Sequence, residues 1–409
     1  MVKSKLWGIL LATALIQSAC ADTPLSHLSK NIHQQKTQWQ HDHNAWLEID
    51  VAAFEKNIRT VNQLLGGKSE MCAVVKADAY GNDLTLLMPS ILKMGVSCLG
   101  IGSNEEAKIA REHGYSGVLM RVRSAAASEI QAGLKYGVEE LFGDIQQAQI
   151  ASEIAQKHGK TLAYHLALNS TGMSRNGLDL SHAAGKQEAL DLLKLPHLKL
   201  VGLMSHFPEE EENDVRKGLK AFQSESKWLI ENAKLNRANL TLHVANSFAT
   251  LTVPESHLDR VRVGGLLYGD TIPSRTEYQK VMAFKTSVGS LHNFKAGATV
   301  GYDRTFTLKR DSVLANLPVG YSDGYRRVFT NKAFVLIRGH RVPVVGKVSM
   351  NTTMVDVTDF PDIQAGDEVV LFGKQGNAEI TQAEIEDING ALLADLYTVW
   401  GNSNPRVKK

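Results

Sequence analysis

Residues 73–82 read Ala73-Val74-Val75-Lys76-Ala77-Asp78-Ala79-Tyr80-Gly81-Asn82. A short apolar run ends in a lysine, then turns at once through small residues, an aromatic and a glycine. Apolar continuity of this length fits a strand covered on both faces. A lysine at the end of such a strand needs a reason, because an unpaired ammonium loses much hydration on burial. One reading is a lysine that snorkels to water. The other is an amine aimed into the ligand end of a barrel, where it loses its proton more easily and condenses with an aldehyde.

Working outward, apolar strand-like runs begin near Cys72, Val96, Val118, Glu140, Leu162, Leu200, Leu240 and Val261, with amphipathic stretches such as 104–113 and 125–136 between them. Eight such units predict a (β/α)8 TIM-type barrel over 46–283. No G-x-G-x-x-G opens a helix after the first strand, which argues against a dinucleotide fold. After residue 283 the rhythm changes. Strand-like segments at 281–291, 312–317, 333–337, 342–348, 353–357 and 368–372 are punctuated by Gly and Asp turns, and helix returns only at 381–389. That pattern predicts a mainly antiparallel β domain over 284–409, with a hairpin over 333–350 turned at Arg338-Gly339-His340. Residues 46–51 are expected to join this β domain as an extra strand.

The 409 residues carry a net charge of +2, with 43% hydrophobic and 22% charged residues. No basic stripe interleaved with aromatics occurs, so nucleic acid is not an expected partner. Lys3 and Lys5, the apolar stretch 6–16 and Ala19-Cys20-Ala21 read as a secretory signal over 1–21, too short to span a bilayer. Gln17 stands where an aliphatic residue would favour lipid attachment at Cys20. Soluble export to a periplasm-like compartment, without stable membrane insertion, is the preferred expectation. The arm 22–45 is polar, and His41-Asp42-His43 within it reads as solvated rather than as a metal site. Two cysteines, Cys72 and Cys98, then remain on consecutive barrel strands, either as a disulfide or as two buried thiols.

Several further segments carry chemistry. Asn169-Ser170-Thr171-Gly172-Met173-Ser174-Arg175-Asn176-Gly177 sets an arginine in a Gly-rich turn. Met204-Ser205-His206-Phe207, His243-Val244-Ala245-Asn246-Ser247 and Arg262-Val263-Gly264-Gly265-Leu266-Leu267-Tyr268-Gly269 follow later strands. In the β domain stand Val300-Gly301-Tyr302-Asp303-Arg304 and Val319-Gly320-Tyr321-Ser322-Asp323-Gly324-Tyr325. Singly, His206 and His243 read as structural histidines and Tyr302 as an ordinary β-domain tyrosine. The run 209–212 reads as a solvated helix start, and the sequon at Asn169 as incidental. Gly264-Gly265 after the eighth strand lets backbone N–H groups approach a phosphate, and Ser247 adds a hydroxyl. Coupled to a lysine on the first strand, this suggests a phosphorylated aldehyde cofactor, pyridoxal 5'-phosphate.

In this order and at these spacings, from about residue 46 to 406, the segments resemble the alanine racemase family of fold-type III pyridoxal-phosphate enzymes, and most of all its exported broad-specificity amino-acid racemases. The resemblance implies a homodimer with shared sites and free amino acids as substrates. It makes Lys76 the cofactor-bonding lysine and one base, with Tyr302 of a partner subunit as the other. Arg262 would face the ring nitrogen, supported by His243, with His206 near the ring and Tyr302. Arg175 would contact the phenolic oxygen, while Tyr80, Ser247, Gly264 and Gly265 hold the phosphate. Tyr321 and Met350 of a partner would line the substrate entrance.

Racemisation takes a proton from one face of Cα and returns one to the other, so two acid/base groups must flank it. An arginine at the ring nitrogen, unable to give up its proton at ordinary pH, would keep that nitrogen unprotonated. Family members specific for alanine carry a lysine before the Thr171-Gly172-Met173 segment, and this chain does not. Asn169 and Asn176 are expected instead to hold an anion such as chloride beside Arg175. Asn402 and Asn351 stand where the family has a tyrosine and an aspartate, changes that favour a broader pocket. A dedicated alanine racemase is the alternative, and a non-catalytic cofactor carrier is the alternative of another class.

Overall fold

The computed structural model describes residues 42–272 and 274–409. The expected signal peptide, Cys20 and nearly all of the polar arm, His41 included, lie outside the described residues. The first element is β1 (Ala45–Ile49), followed by a helix over Val51–Leu65 that Asp50 caps by accepting the Ala53 N–H at 2.9 Å.

Eight parallel strands come next: β2 (Glu70–Val74), β3 (Cys98–Ile101), β4 (Val118–Arg121), β5 (Val138–Phe142), β6 (Leu162–Ala167), β7 (Leu198–Met204), β8 (Thr241–His243) and β9 (Arg260–Val263). They follow one another in chain order, and β9 pairs back onto β2. Between β8 and β9 closure is completed by single backbone bonds, Asp259 N–H to Leu242 O and Arg262 N–H to Ala245 O. This nearly closed barrel is the one expected from the alternating pattern, with every expected strand present and boundaries shifted by a few residues. Helices cover its outer face, so these strands are buried on both sides, as the apolar run at 73–75 required.

Residues 282–408 build sheets that are mainly antiparallel. β10 (Met282–Ser287), β11 (Ser290–Phe294), β12 (Thr299–Val300), β13 (Phe306–Thr307), β14 (Ser312–Leu317), β15 (Phe334–Ile337), β16 (His340–Pro343), β17 (Thr353–Asp356), β18 (Glu368–Gln375), β19 (Ala378–Ile380) and β20 (Arg406–Lys408) follow in order. The larger sheet runs β16-β15-β18-β10-β1-β20, so β1 does join this domain, antiparallel to β10 and parallel to β20.

Two expectations need correction. The single strand at 281–291 is two strands in different sheets, β10 and β11, because the chain turns at Val288-Gly289. The hairpin pairs only Phe334–Ile337 with His340–Pro343 around Arg338-Gly339, and the segment 342–348 leaves it after Pro343 to bridge Val344 with Val355. Val344 N–H still reaches the Ala333 carbonyl at 2.9 Å, and beyond it the chain turns to β17, where Val345 N–H donates to the Met354 carbonyl at 2.9 Å. The helix Ala394–Ser403 and β20 were not foreseen.

Cys72 and Cys98 are direct register partners, their Cα atoms 4.4 Å apart, and their sulfurs form a disulfide. Both side chains are fully buried and pack with Met120. The 26-residue separation sets the loop that the bond closes, which in the chain-entropy account restrains the unfolded state by about 3.5 kcal/mol. The double variant Cys72→Ala/Cys98→Ala should therefore melt well below the wild type in non-reducing buffer. Equal melting temperatures would show that the bond contributes nothing. Among the described residues no helix is long and apolar enough to cross a membrane, and no three His, Cys, Asp or Glu side chains form a metal-binding group.

Candidate active site

Lys76 follows the last residues of β2, at the end of the barrel where ligands bind. The chain beyond it is unusual. Ala77, Asp78, Ala79 and Tyr80 all adopt φ between +54° and +56°, a full left-handed turn built from L-residues, and Gly81 follows at +77°. Each non-glycine residue in this conformation costs about 1–2 kcal/mol.

The surroundings hold the turn in place. Asp78 accepts the Leu84 N–H at 2.8 Å and pairs with Arg406 at 3.0 Å, and Glu106 accepts the Asp78 N–H at 3.2 Å. Above it lies the helix Ala394–Ser403. A Cβ on Gly401 would sit 2.4 Å from the Gly81 Cα, and one on Gly81 would sit 2.2 Å from the Tyr397 carbonyl oxygen. Two glycines thus let the β domain press on the turn that aims Lys76.

Lys76 lines a cavity of about 410 Å³ that also takes in Tyr80, Arg175, His206, Ser247 and Arg262. That volume suits a drug-sized ligand. Water reaches the Lys76 amine at the cavity wall, but the surrounding protein still disfavours its charge. Burial is the main cause that lowers its pKa, and the positive charges of Arg175 and Arg262 add to it.

At one end of the cavity Gly264 passes so close to Tyr80 that a Cβ there would meet the phenol oxygen at 2.2 Å. Ser247 Oγ accepts the N–H groups of Gly264 at 3.1 Å and Leu266 at 3.4 Å. Tyr80 itself stacks on Tyr268 with centroids 4.8 Å apart.

Arg262 is buried and anchored. Its Nη1 donates to His243 Nδ1 at 2.7 Å and to the His243 carbonyl at 2.9 Å; its Nη2 donates to the Ser205 carbonyl at 2.7 Å and to His206 Nδ1 at 3.2 Å. Its Nε makes no hydrogen bond among the described residues. Burial, helped by Arg175, pulls its pKa down to about 9, which leaves it charged at neutral pH. His206 is held at about 3 by burial and by the cations Arg262, Arg175 and Lys76, so its imidazole is neutral.

The donor set fits a phosphorylated pyridine aldehyde. An amine of lowered pKa can bond the aldehyde, a guanidinium N–H stands spare for a ring nitrogen, and a glycine-lined wall with two hydroxyls can take a phosphate.

The structure brings together Lys76, Tyr80, Arg175, His206, Ser247, Arg262, Gly264 and Gly265 as the sequence led one to expect. His243 stands behind Arg262 rather than in the cavity. Asn176 lies at Arg175, its Oδ1 3.4 Å from Nε, while the Asn169 side chain is occupied in its own turn by Ser174. Tyr302, Tyr321, Met350, Asn351 and Asn402 do not line this cavity. Tyr302 is 69% exposed and Met350 55% exposed; Arg327 stacks over Tyr321, and Asn351 bonds to Ser322 at 2.7 Å.

Three contributors escaped the sequence reading. Tyr397 borders the cavity from the unforeseen helix and bonds Asp270 at 2.8 Å. His165 and Glu139 continue the polar line behind His243, with His165 Nδ1 2.9 Å from His243 Nε2 and His165 Nε2 2.9 Å from Glu139. The available signal was an ionisable residue at an inward position of a barrel strand.

Burial lowers the pKa values of His165 and His243, so both are neutral in the fold, whereas the unfolded chain protonates them below about pH 6.5. The unfolded state thus binds more protons as pH falls through that value. Stability should be full above it and decline below, by up to about 1.4 kcal/mol per pH unit for each histidine. Urea titrations at pH 7.5 and 5 read this directly, and equal midpoints would contradict it.

A family model for the alanine racemase N-terminal domain matches residues 49–272, and one for the C-terminal domain matches 281–408. The chain is 60% identical over 404 residues to a broad specificity amino-acid racemase of Pseudomonas taetrolens, covering 99% of this chain and 98% of that one. It is 53% identical over 364 residues to a lysine racemase of Proteus mirabilis, covering 89% of each. Among solved structures it superposes on the alanine racemase of Bartonella henselae with covalently bound pyridoxal phosphate, at TM-score 0.78 and 26% identity over 89% of this chain and 99% of that one. The alanine racemase of Streptomyces lavendulae gives TM-score 0.81 at 26% identity, over 89% and 97%. With both family domains matched in order along nearly all of the described chain, this protein belongs to the alanine racemase family.

Proposed function

We propose that the protein is a pyridoxal-phosphate-dependent racemase that interconverts L- and D-amino acids of varied side chain. The observation that carries this is one cavity holding a lysine of lowered pKa, a spare arginine N–H and a glycine-lined wall. When bound, the cofactor supplies an aldehyde to hold the substrate amine and a ring to accept the electron pair left at Cα.

The chain's own residues do the rest. Lys76, whose pKa burial and two arginines lower, takes or returns the Cα proton on one face. Arg262, whose two terminal nitrogens reach five acceptors, the Val244 carbonyl at 3.3 Å being the fifth, keeps its Nε donor toward the ring nitrogen. His206 accepts from Arg262 at Nδ1, so its remaining proton sits on Nε2 as a donor toward the cavity. Tyr80 and Ser247 hold the phosphate. Arg175, with Asn176 beside it and an anion held there, steadies the phenolic oxygen.

Tyr302 of the same chain does not line this cavity and is exposed elsewhere. Tyr302 of the partner subunit is therefore assigned to the opposite face, in a homodimer where Tyr321 and Met350 of the partner border the substrate and Asn351 and Asn402 leave room for a longer side chain. Relatives named for broad specificity and for lysine support a wide pocket over an alanine-only one.

Racemisation assayed with alanine, lysine, arginine and methionine tests this. Turnover of several is expected, with loss in Lys76→Ala; turnover of alanine alone would reduce the protein to a dedicated alanine racemase. Export to the periplasm is part of the same proposal, supported by the pattern of 1–21 and by the disulfide. A full-length chain found only in the cytoplasmic fraction would overturn it.

A further inference from the structure

A line of side chains crosses the barrel interior behind the cavity. Arg262 Nη1 stands 2.7 Å from His243 Nδ1, His243 Nε2 stands 2.9 Å from His165 Nδ1, and His165 Nε2 stands 2.9 Å from a carboxylate oxygen of Glu139. Arg262, His243 and His165 are buried, while the Glu139 side chain keeps 21% of its surface exposed. Glu139 is the second residue of β5, toward the end of the barrel opposite Lys76. Room for the line is made deliberately: a Cβ on Gly202 would sit 2.4 Å from His165 Nδ1.

The two ends determine every proton between them. Arginine only donates, so His243 Nδ1 must accept, and the proton of neutral His243 must be on Nε2. That proton can go only to His165 Nδ1, which leaves the His165 proton on Nε2. An ionised carboxylate only accepts, and Glu139 stands where that last proton points. All three bonds therefore run in one direction, from the guanidinium to the carboxylate. A second proton on either ring would break a bond of the chain. The groups that face the two histidines are Glu139, Arg260 and Arg262; burial keeps both rings neutral, at His165 against the pull of Glu139 and at His243 with the help of the two arginines.

We propose that Glu139 is a positioning residue for the racemase, acting through His165 and His243 to fix the orientation and the positive charge of Arg262. Three aligned bonds polarise one another, so the carboxylate's charge is felt at a guanidinium that burial would otherwise weaken. The inference rests on the assignment of Arg262 to the cofactor's ring nitrogen.

The test joins two readouts. Nitrogen NMR of histidine-labelled protein without cofactor should show Nε2–H tautomers for both His165 and His243. Glu139→Gln keeps the acceptor oxygen and the volume but removes the charge. It should fold with wild-type circular dichroism and lower kcat about tenfold at nearly unchanged KM, the scale seen for outer-shell partners. The alkaline transition in the absorbance of bound cofactor should move to lower pH by about one unit as Arg262 loses support. Glu139→Asp should recover part of both effects. An Nδ1–H tautomer at either histidine would overturn the proposal, as would Glu139→Gln with wild-type kcat and absorbance titration. If the wild type bound no cofactor, the parent assignment would fall instead, and the tautomers, read without cofactor, tell the two failures apart.

Discussion

A heterodimer of one Lys76→Ala chain and one Tyr302→Phe chain, isolated by two different tags, should retain about half of the wild-type racemase activity although each variant alone is inactive. The lysine variant loses both the cofactor bond and one acid/base group, and should fall by about 10⁴-fold or more. The tyrosine variant keeps the ring but loses the proton-carrying oxygen, and should fall by about 10²- to 10⁴-fold. In the heterodimer one site combines both lesions and is dead. The other takes Lys76 from the tyrosine variant and Tyr302 from the lysine variant, and is intact. Lys76 lines the cavity while Tyr302 of the same chain is 69% exposed and outside it. Sites built within single chains would leave the heterodimer as inactive as its parents, and that result would reject both the shared site and Tyr302 as the second base.

Gly81→Ala should destabilise the protein by about 3 kcal/mol or more and cost it its cofactor. Two penalties combine. At φ +77° a Cβ is strained, and here it would also press to 2.2 Å from the Tyr397 carbonyl oxygen, a backbone atom that cannot rotate away. Relief requires moving the helix Ala394–Ser403, which would loosen the left-handed turn after Lys76. Gly66→Ala serves as the control. Its φ is +57° but no atom lies within 4 Å of the added carbon, so only the conformational cost of about 1 kcal/mol remains. Chemical denaturation gives the two stabilities, and absorbance of the bound cofactor reports on Lys76. Equal losses in the two variants would show that the contact with Tyr397 does not constrain the turn.

Much of this was legible in the chain. The barrel could be read because each strand is covered on both faces and so appears as an apolar run, with helical periodicity between runs. The antiparallel domain could be read because Gly and Asp turns break its strands at short intervals. Residues at strand ends were legible as a set: Lys76, His206, Ser247 and the Gly264-Gly265 pair each follow a strand, Arg262 lies near the end of one, and a barrel collects strand ends at one place. The helix Ala394–Ser403 was not legible, since its buried Leu396, Tyr397 and Trp400 alternate with Gly401 and polar residues that resemble a turn. The break at Val288-Gly289 was hidden inside a continuous strand-like run.

By itself, then, the sequence determined the barrel, the β domain, the family and which residue types meet at the strand ends, because local periodicity and order along the chain are enough to specify these. Only the tertiary structure decided how Lys76 is aimed. Its four-residue left-handed turn defies local preference and persists because Asp78, Glu106, Arg406 and the glycine contact with the C-terminal helix outweigh the local cost. The structure alone also aligned Glu139, His165 and His243 behind Arg262. Those residues lie far apart in the chain, and their proton positions follow from donors and acceptors that meet only when the barrel closes.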